Sequence, residues 1–161
     1  MAPVKVLFVC LGNICRSPTA EGMFQQLVKA NKLEEFITVD SAGTGDWHIG
    51  RPPDQRAQQA AQARGYDISH LRARQMSRED FHNFHYIIAM DQQNLANLQA
   101  MQPQDFSGHL GLLLPFAGSG ELLEVPDPYF GGEEGFRLVL DLLESASVGL
   151  LDHIKQQYLV V

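Results

Sequence analysis

Cys10 and Arg16 are two residues near the amino terminus whose types and spacing could bind and attack a phosphate. Five residues separate them, and Ser17-Pro18 follows at once, which is typical of a helix start. The apolar run 4–10 predicts a buried strand before the cysteine. A loop between a strand and a helix points backbone N–H groups and the positive end of the helix dipole at one place. Arg16 would add a two-pronged donor for phosphate oxygens, and the thiolate of Cys10 would be a nucleophile beside them.

The segment between these two residues narrows the kind of phosphate site. It lacks the glycine spacing of a dinucleotide-binding loop and the Gly-Lys-Ser/Thr ending of an ATP-binding loop. Asn13 suits a left-handed backbone position, because asparagine tolerates positive φ better than most residues. A buried cysteine at a strand end is the ordinary explanation of a lone Cys10. The agreement of the spacing, the glycine and the helix start favours a phosphate-binding loop that contains a thiol.

The composition of the whole chain limits its class and partners. Of its 161 residues, 45% are hydrophobic and 19% are charged, and the net charge is −7. This length predicts one domain over 1–161 with a sizeable core. The negative charge disfavours nucleic acid and anionic membranes as main partners, and no apolar run is long enough for a spanning helix. Both cysteines lie in the loop, which disfavours a disulfide scaffold and favours a cytoplasmic location.

Strand and helix patterns alternate along the chain, which predicts a parallel sheet covered by helices on both faces. Ligands of such sheets bind beyond the carboxyl ends of the strands. We therefore expect the loop after Cys10, the loop that follows Ser41, and Asp91 to converge at one edge. The predicted strands are 4–10, 37–41, 86–90 and 110–114. One predicted helix begins near residue 18, and the others cover 54–64, 92–100 and 133–158.

Four segments in this order form a specific pattern. They are Cys10-Leu-Gly-Asn-Ile-Cys-Arg-Ser-Pro18, Ser41-Ala-Gly-Thr44, Met90-Asp91 with Asn94, and Asp127-Pro128-Tyr129. The pattern resembles that of the low-molecular-weight protein tyrosine phosphatases. The resemblance implies an α/β fold with a four-stranded parallel sheet in the order 2-1-3-4 and the phosphate-binding loop after strand 1. It also implies hydrolysis of phosphotyrosine, and of small aryl phosphates, through a phosphocysteine intermediate, with tyrosine-phosphorylated proteins as partners and a monomer or weak homodimer as the assembly.

The resemblance implies a role for each residue of the loop. Cys10 would attack phosphorus, and Arg16 with the loop N–H groups would hold the non-bridging oxygens. Ser17 would donate a hydrogen bond to the thiolate. Asp127 would protonate the leaving oxygen and then deprotonate the attacking water, although an Asp-Pro pair is also an ordinary turn signal. The remaining substrate-binding residues of the loop would be Leu11, Gly12, Asn13, Ile14 and Cys15.

Supporting residues are implied in the same way. In the family, the asparagine that matches Asn13 is held by a serine and a histidine, which resemble Ser41 and His70. The alternative for both is an ordinary polar loop residue. We expect Asp91 to cap its helix and to anchor Arg16 rather than to take part in chemistry.

Trp47 and Tyr129 are candidate walls of a slot for a flat phenyl ring, because Trp47 lies in a glycine-rich loop where a core role is not obvious. The alternative for Trp47 is a partly buried anchor of that loop. His82 and His85 are closely spaced, but no thiol or carboxylate cluster completes a metal set. We therefore expect no metal and no cofactor.

The family resemblance leaves several further hypotheses. It implies that Cys15 can form a reversible disulfide with Cys10 under oxidation. Arsenate reduction on the same fold needs additional cysteines, which this chain lacks. Family members that prefer phosphoarginine carry a threonine at the position of Ile14, so the apolar residue favours an aromatic ester. A non-catalytic phosphate-binding module would lack the nucleophile or the general acid, whereas Cys10, Arg16 and Asp127 are all present.

Overall fold

Four parallel strands form the centre of the protein in the order β2-β1-β3-β4. The computed structural model describes residues 3–118, 123–128 and 132–159. The order and the parallel pairing confirm the α/β sheet expected from the sequence. The strands are β1 (Val4–Cys10), β2 (Ile37–Gly43), β3 (Tyr86–Ala89) and β4 (His109–Leu112).

The helices connect these strands and begin where the sequence provides caps. Asp54 accepts hydrogen bonds from Arg56 N and Ala57 N at the start of α2, and Asp91 accepts one from Asn94 N at the start of α4. Pro18 lies in the first turn of α1, where a missing N–H is tolerated. The helices are α1 (Arg16–Ala30), α2 (Gln55–Ala63), α3 (Asp80–Asn83), α4 (Gln92–Met101) and α5 (Gly132–Tyr158).

Two strand boundaries differ from the prediction by two residues, and each of these differences has a local cause. β2 continues beyond residue 41 to Gly43, because Ala42 and Gly43 still pair with the end of β1. β4 stops at Leu112, two residues early, and the chain enters a 3₁₀ turn over Leu114–Ala117. Proline follows the first residue of that turn and cannot donate a ladder hydrogen bond.

β1 is buried on both faces and divides the core. Val6 and Phe8 belong to the larger cluster, which includes α1 and α5, whereas Leu7 and Val9 belong to the cluster on the other face. This alternation follows from the two-residue period of a strand. No helix in the part of the chain that the structure describes is long and apolar enough to span a membrane.

The carboxyl edge of the sheet brings distant segments together. Cys10 at the end of β1 pairs with Gly43 at the end of β2. On the other side of β1, Met90 N donates to Val9 O, and Val125 N donates to Met90 O. The last of these bonds fastens the segment 123–128 next to the end of β3.

Candidate active site

The thiol of Cys10 lies at the bottom of a loop between β1 and α1. The residue is 3% exposed. Its Sγ is 3.0 Å from Ser17 Oγ and accepts a hydrogen bond from Asn13 N at 3.3 Å. The loop therefore places a hydroxyl group and a main-chain N–H against the sulfur.

Asn13 holds the shape of this loop. Its φ is +58°, so it occupies the left-handed conformation that the sequence predicted. Its Nδ2 donates to Ser17 Oγ at 2.8 Å and to Ser41 Oγ at 2.9 Å, and its Oδ1 accepts from Arg74 N at 3.0 Å. Every polar atom of this buried side chain has a partner, which favours a single loop geometry.

The arrangement differs from the prediction at His70. Its side chain is exposed, and no hydrogen bond among the described residues joins it to Asn13. The main-chain N–H of Arg74 fills the acceptor of Asn13 instead. Ser41 does contact Asn13, and its hydroxyl donates to the buried carboxyl of Glu21 at 2.6 Å.

The guanidinium of Arg16 is buried at the first residue of α1. Its Nη1 donates to Asp91 Oδ2 at 2.6 Å and to Val125 O at 2.9 Å. Burial opposes the charge, but the nearby negative groups, with Cys10 and Asp91 foremost, raise the pKa of Arg16. The side chain is therefore a fixed cation, and Asp91 has both the capping and the anchoring contacts predicted for it.

Asp127 reaches the same place from the segment 123–128. Its Oδ2 is 3.9 Å from Arg16 Nη2, and its side chain is 50% exposed. The carboxylate thus stands at the mouth of the loop and not in the core. Pro128 beside it is buried.

The second cysteine of the loop has different surroundings. Cys15 is 6% exposed and packs in an apolar cluster with Ala57, Ile68 and Phe136. Burial raises the pKa of the Cys15 thiol, and the negative charge of Asp54 adds to this effect. Cys15 is therefore a neutral thiol at physiological pH.

A cavity of about 200 Å³ opens above the loop. Cys10, Arg16 and Asp127 contribute to its walls, as does Trp47, which is 66% exposed. Tyr129, the other predicted aromatic wall, lies outside the described residues. The full lining consists of Cys10, Leu11, Gly12, Ile14, Cys15, Arg16, Trp47, His48 and Asp127.

His48 is a wall residue that the sequence analysis did not identify. A Cβ added to Gly12 would lie 2.9 Å from His48 Cδ2, so the imidazole closely approaches the loop where there is no side chain. Its position next to Trp47 was the available signal. Within the described residues, no group of three or more His, Cys, Asp or Glu side chains could hold a metal ion.

Comparisons with known proteins agree with this geometry. Residues 5–159 match the family model of the low molecular weight phosphotyrosine protein phosphatases. A low molecular weight phosphotyrosine protein phosphatase of Schizosaccharomyces pombe is 47% identical over 83% of this chain and 85% of its own length. The low molecular weight protein-tyrosine-phosphatase YfkJ of Bacillus subtilis is 42% identical over 96% of this chain and 97% of its own.

Solved structures of similar proteins share this fold. The crystal structure of YfkJ has a TM-score of 0.92 and covers 98% of each chain at 40% identity. A crystal structure named drosophila arginine phosphatase has a TM-score of 0.89 at 35% identity, covering 96% of this chain and 99% of that one.

The fold and the thiol-containing loop, together with these relatives, define a cysteine-dependent hydrolase. The chain belongs to the low molecular weight phosphotyrosine protein phosphatase family.

Proposed function

We propose that this enzyme hydrolyses phosphotyrosine and small aryl phosphates through a phosphocysteine intermediate. The observation that carries the proposal is that Cys10, Arg16 and Asp127 line one cavity. These side chains combine a nucleophile, a phosphate-binding cation and a proton donor. The names of the relatives, which refer to tyrosine or phosphotyrosine phosphatases, support the choice of ester.

In the first step, the Cys10 thiolate attacks phosphorus, so an S–P bond forms while the bond from phosphorus to the phenolic oxygen breaks. The electron pair of the broken bond goes to the oxygen, and Asp127 supplies the proton that converts it to a phenol. Arg16 and the loop N–H groups stabilise the negative charge on the three equatorial oxygens. Ser17 supports the sulfur at 3.0 Å.

In the second step, water attacks the phosphocysteine. The carboxylate of Asp127 accepts a proton from that water, and the S–P bond breaks to release inorganic phosphate. The sulfur leaves as a thiolate, which the hydroxyl of Ser17 stabilises again. Asp127 therefore ends the cycle protonated, ready for the next leaving group.

Turnover of p-nitrophenyl phosphate at mildly acidic pH tests the proposal. We expect activity in the unmodified enzyme with thiol present and none in Cys10→Ser, because a serine hydroxyl is not ionised at the sulfur position. Cys15→Ser is the matched control and should retain turnover. Wild-type rates in Cys10→Ser would exclude the covalent mechanism, and no turnover by the unmodified enzyme would exclude the function.

A phosphoarginine substrate is the second candidate, since one structural neighbour is named an arginine phosphatase. Ile14 lines the cavity and favours an aromatic ester over a guanidinium. The expected ranking is phosphotyrosine well above phosphoarginine in kcat/KM, measured by phosphate release from peptides that carry either group. The reverse ranking would support the second candidate.

We also propose that the loop is redox-sensitive through a Cys10–Cys15 disulfide. Both thiols are free and lie in the same loop. Mild peroxide should form the bond and stop turnover, and thiol should restore it. Because Cys15 is a neutral thiol, the disulfide should form faster at alkaline pH, where more of this thiol is ionised. Mass spectrometry would detect the crosslink, and equal recovery of Cys15→Ser would contradict a protective role.

Tyrosine-phosphorylated proteins of the cytoplasm are the partners that fit this proposal, with the enzyme acting as a monomer or weak homodimer. Two free thiols suit a reducing compartment. Capture of phosphoproteins by Cys10→Ser would identify them, and sedimentation of the purified enzyme would give its assembly.

A further inference from the structure

Glu21 is a buried acid that the two chemical steps leave unused. It lies in the second turn of α1 and is 7% exposed. Its Oε1 accepts a hydrogen bond from Ser41 Oγ at 2.6 Å. A buried carboxyl held by one hydroxyl is costly unless it serves a purpose or is neutral.

A continuous row of hydrogen bonds links this carboxyl to the nucleophile. Because the hydrogen of Ser41 points to Glu21, its oxygen is left to accept from Asn13 Nδ2 at 2.9 Å. The second hydrogen of the same amide goes to Ser17 Oγ at 2.8 Å, and that oxygen is 3.0 Å from Cys10 Sγ. We call this row, Glu21–Ser41–Asn13–Ser17–Cys10, the Glu21 chain.

Each member of the Glu21 chain has its direction set by the member before it. Glu21 orients the hydroxyl of Ser41, and Ser41 orients the amide of Asn13. The amide donates to Ser17 Oγ, whose own hydrogen has two acceptors within reach, Cys10 Sγ at 3.0 Å and Ala42 O at 3.4 Å. Asn13 Oδ1 is taken by Arg74 N, so the amide cannot turn over without losing bonds at both ends. The charge on Glu21 therefore acts on the sulfur site through buried, fixed dipoles, where water does not screen it.

We infer that Glu21 is a positioning residue whose protonation state controls how tightly the loop holds a doubly charged anion. Neutral Glu21 orients the chain and allows a dianion to bind beside Cys10. Ionised Glu21 orients it equally but places a second negative charge behind the loop. The inference rests on the proposed function, since it takes the loop to be a phosphate site.

The surroundings place this titration in the physiological range. Burial is the main cause that raises the pKa of Glu21, to about 7, and the charge of Asp40 on β2 adds to it. The hydrogen bond from Ser41 and the charge of Arg74 oppose the rise. Arg74 is itself paired with Asp40 and Asp80.

Linkage then makes the effect reciprocal: if proton uptake by Glu21 strengthens anion binding, anion binding must raise the pKa of Glu21 by the same free energy. Coupling of this kind commonly amounts to about fivefold or more in affinity. The loop should consequently release an anion more readily above pH 7 than below it.

Calorimetric binding of sulfate tests this without any turnover. Sulfate is a dianion throughout the range between about pH 5.5 and 8.5, so its own titration does not interfere. We expect the affinity of the unmodified protein to fall across this range by about fivefold more than that of Glu21→Gln, which keeps the hydrogen-bond acceptor but cannot ionise. Equal falls in the two proteins would overturn the inference.

Asp40→Asn is the matched control, because it removes a carboxylate beside Glu21 that is not part of the Glu21 chain. It should keep the pH dependence, with the midpoint moved to lower pH. If it abolished the dependence, Glu21 would not be the group responsible.

A second measurement covers the case in which Glu21→Gln does not fold. Carbon NMR of the Glu21 carboxyl in the unmodified protein should show a titration near pH 7 that moves upward when sulfate is added. A titration midpoint of Glu21 that does not change when sulfate is added would refute the coupling between protonation and anion binding. Failure of the proposed function would appear differently, as a lack of p-nitrophenyl phosphate hydrolysis while sulfate binding stays pH-dependent.

Discussion

The two sides of the loop 10–17 are built in opposite ways. On the inner side, Asn13, Ser17 and Ser41 are each less than 5% exposed and hydrogen-bond to one another. On the outer side, Trp47 is 66% exposed and the side chain of Asp127 is 50% exposed. The cavity that would receive a phosphate ester lies between the two.

This difference indicates a division of labour. Buried polar groups that satisfy one another hold a single geometry, which suits the recognition of a phosphoryl group that never varies. Exposed side chains can adapt to the leaving group, which differs from one phosphate ester to another. Changes on the inner side should therefore affect all substrates alike, and changes on the outer side should discriminate among them.

The largest effect is expected at the inner side, for Arg16→Lys. Lysine keeps the charge but cannot reach Asp91, Val125 O and a phosphate together, because it lacks the planar fork. We expect kcat to fall by about 10³-fold or more for good and poor leaving groups alike. Steady-state rates with a series of aryl phosphates measure this.

Arg64→Lys is the control for that variant, since Arg64 pairs with Asp141 and Glu144 on α5 and does not line the loop cavity. It should leave the rates near their original values. A loss that depended strongly on the leaving group would contradict the placement of Arg16 on the inner side.

The second-largest effect on kcat is expected at the outer side, for Asp127→Asn. The amide cannot donate a proton to a leaving oxygen, so phenols of high pKa should lose about 10²–10⁴-fold in kcat, and those of low pKa much less. The slope of log kcat against leaving-group pKa measures the difference. Asp46→Asn alters another exposed carboxylate, next to Trp47 in the sequence, and should not change that slope. An unchanged slope in Asp127→Asn would refute its role as the acid.

The smallest effect is expected for Trp47→Ala. Loss of an aromatic wall should raise KM for aryl phosphates by about tenfold or less, since ring contacts are worth about 0.5–1.5 kcal/mol. Inhibition by inorganic phosphate should stay constant, because that ion has no ring. Ile49→Ala, another exposed apolar change in the same loop, serves for comparison. Weaker inhibition by phosphate would show that Trp47 supports the loop itself.

The parts of the site that follow from a single stretch of chain could be predicted from the sequence. The strand, the loop and the start of α1 are contiguous, and Asn13 has the positive φ that its residue type allows. The alternation of strand and helix patterns predicted the parallel sheet, and the family resemblance predicted its order. Asp91 was likewise recognisable as a helix cap beside the loop.

Contacts between distant segments were less accessible. His70 was expected to hold Asn13, but the peptide N–H of Arg74 does so, and a main-chain donor has no signature in the sequence. The burial of Glu21 against Ser41 depends on how α1 packs on β2. The approach of His48 to Gly12 depends on the path of a loop that no periodic pattern describes.

The hydrogen bond from Arg16 to the carbonyl of Val125 also has a consequence for the order of events during translation. The two residues are 109 positions apart, and Val125 N is bonded in turn to Met90 O. A nascent chain therefore contains Cys10 long before the residue that orients the neighbouring guanidinium has been translated. Catalytic competence thus requires at least 109 further residues to be made after Arg16.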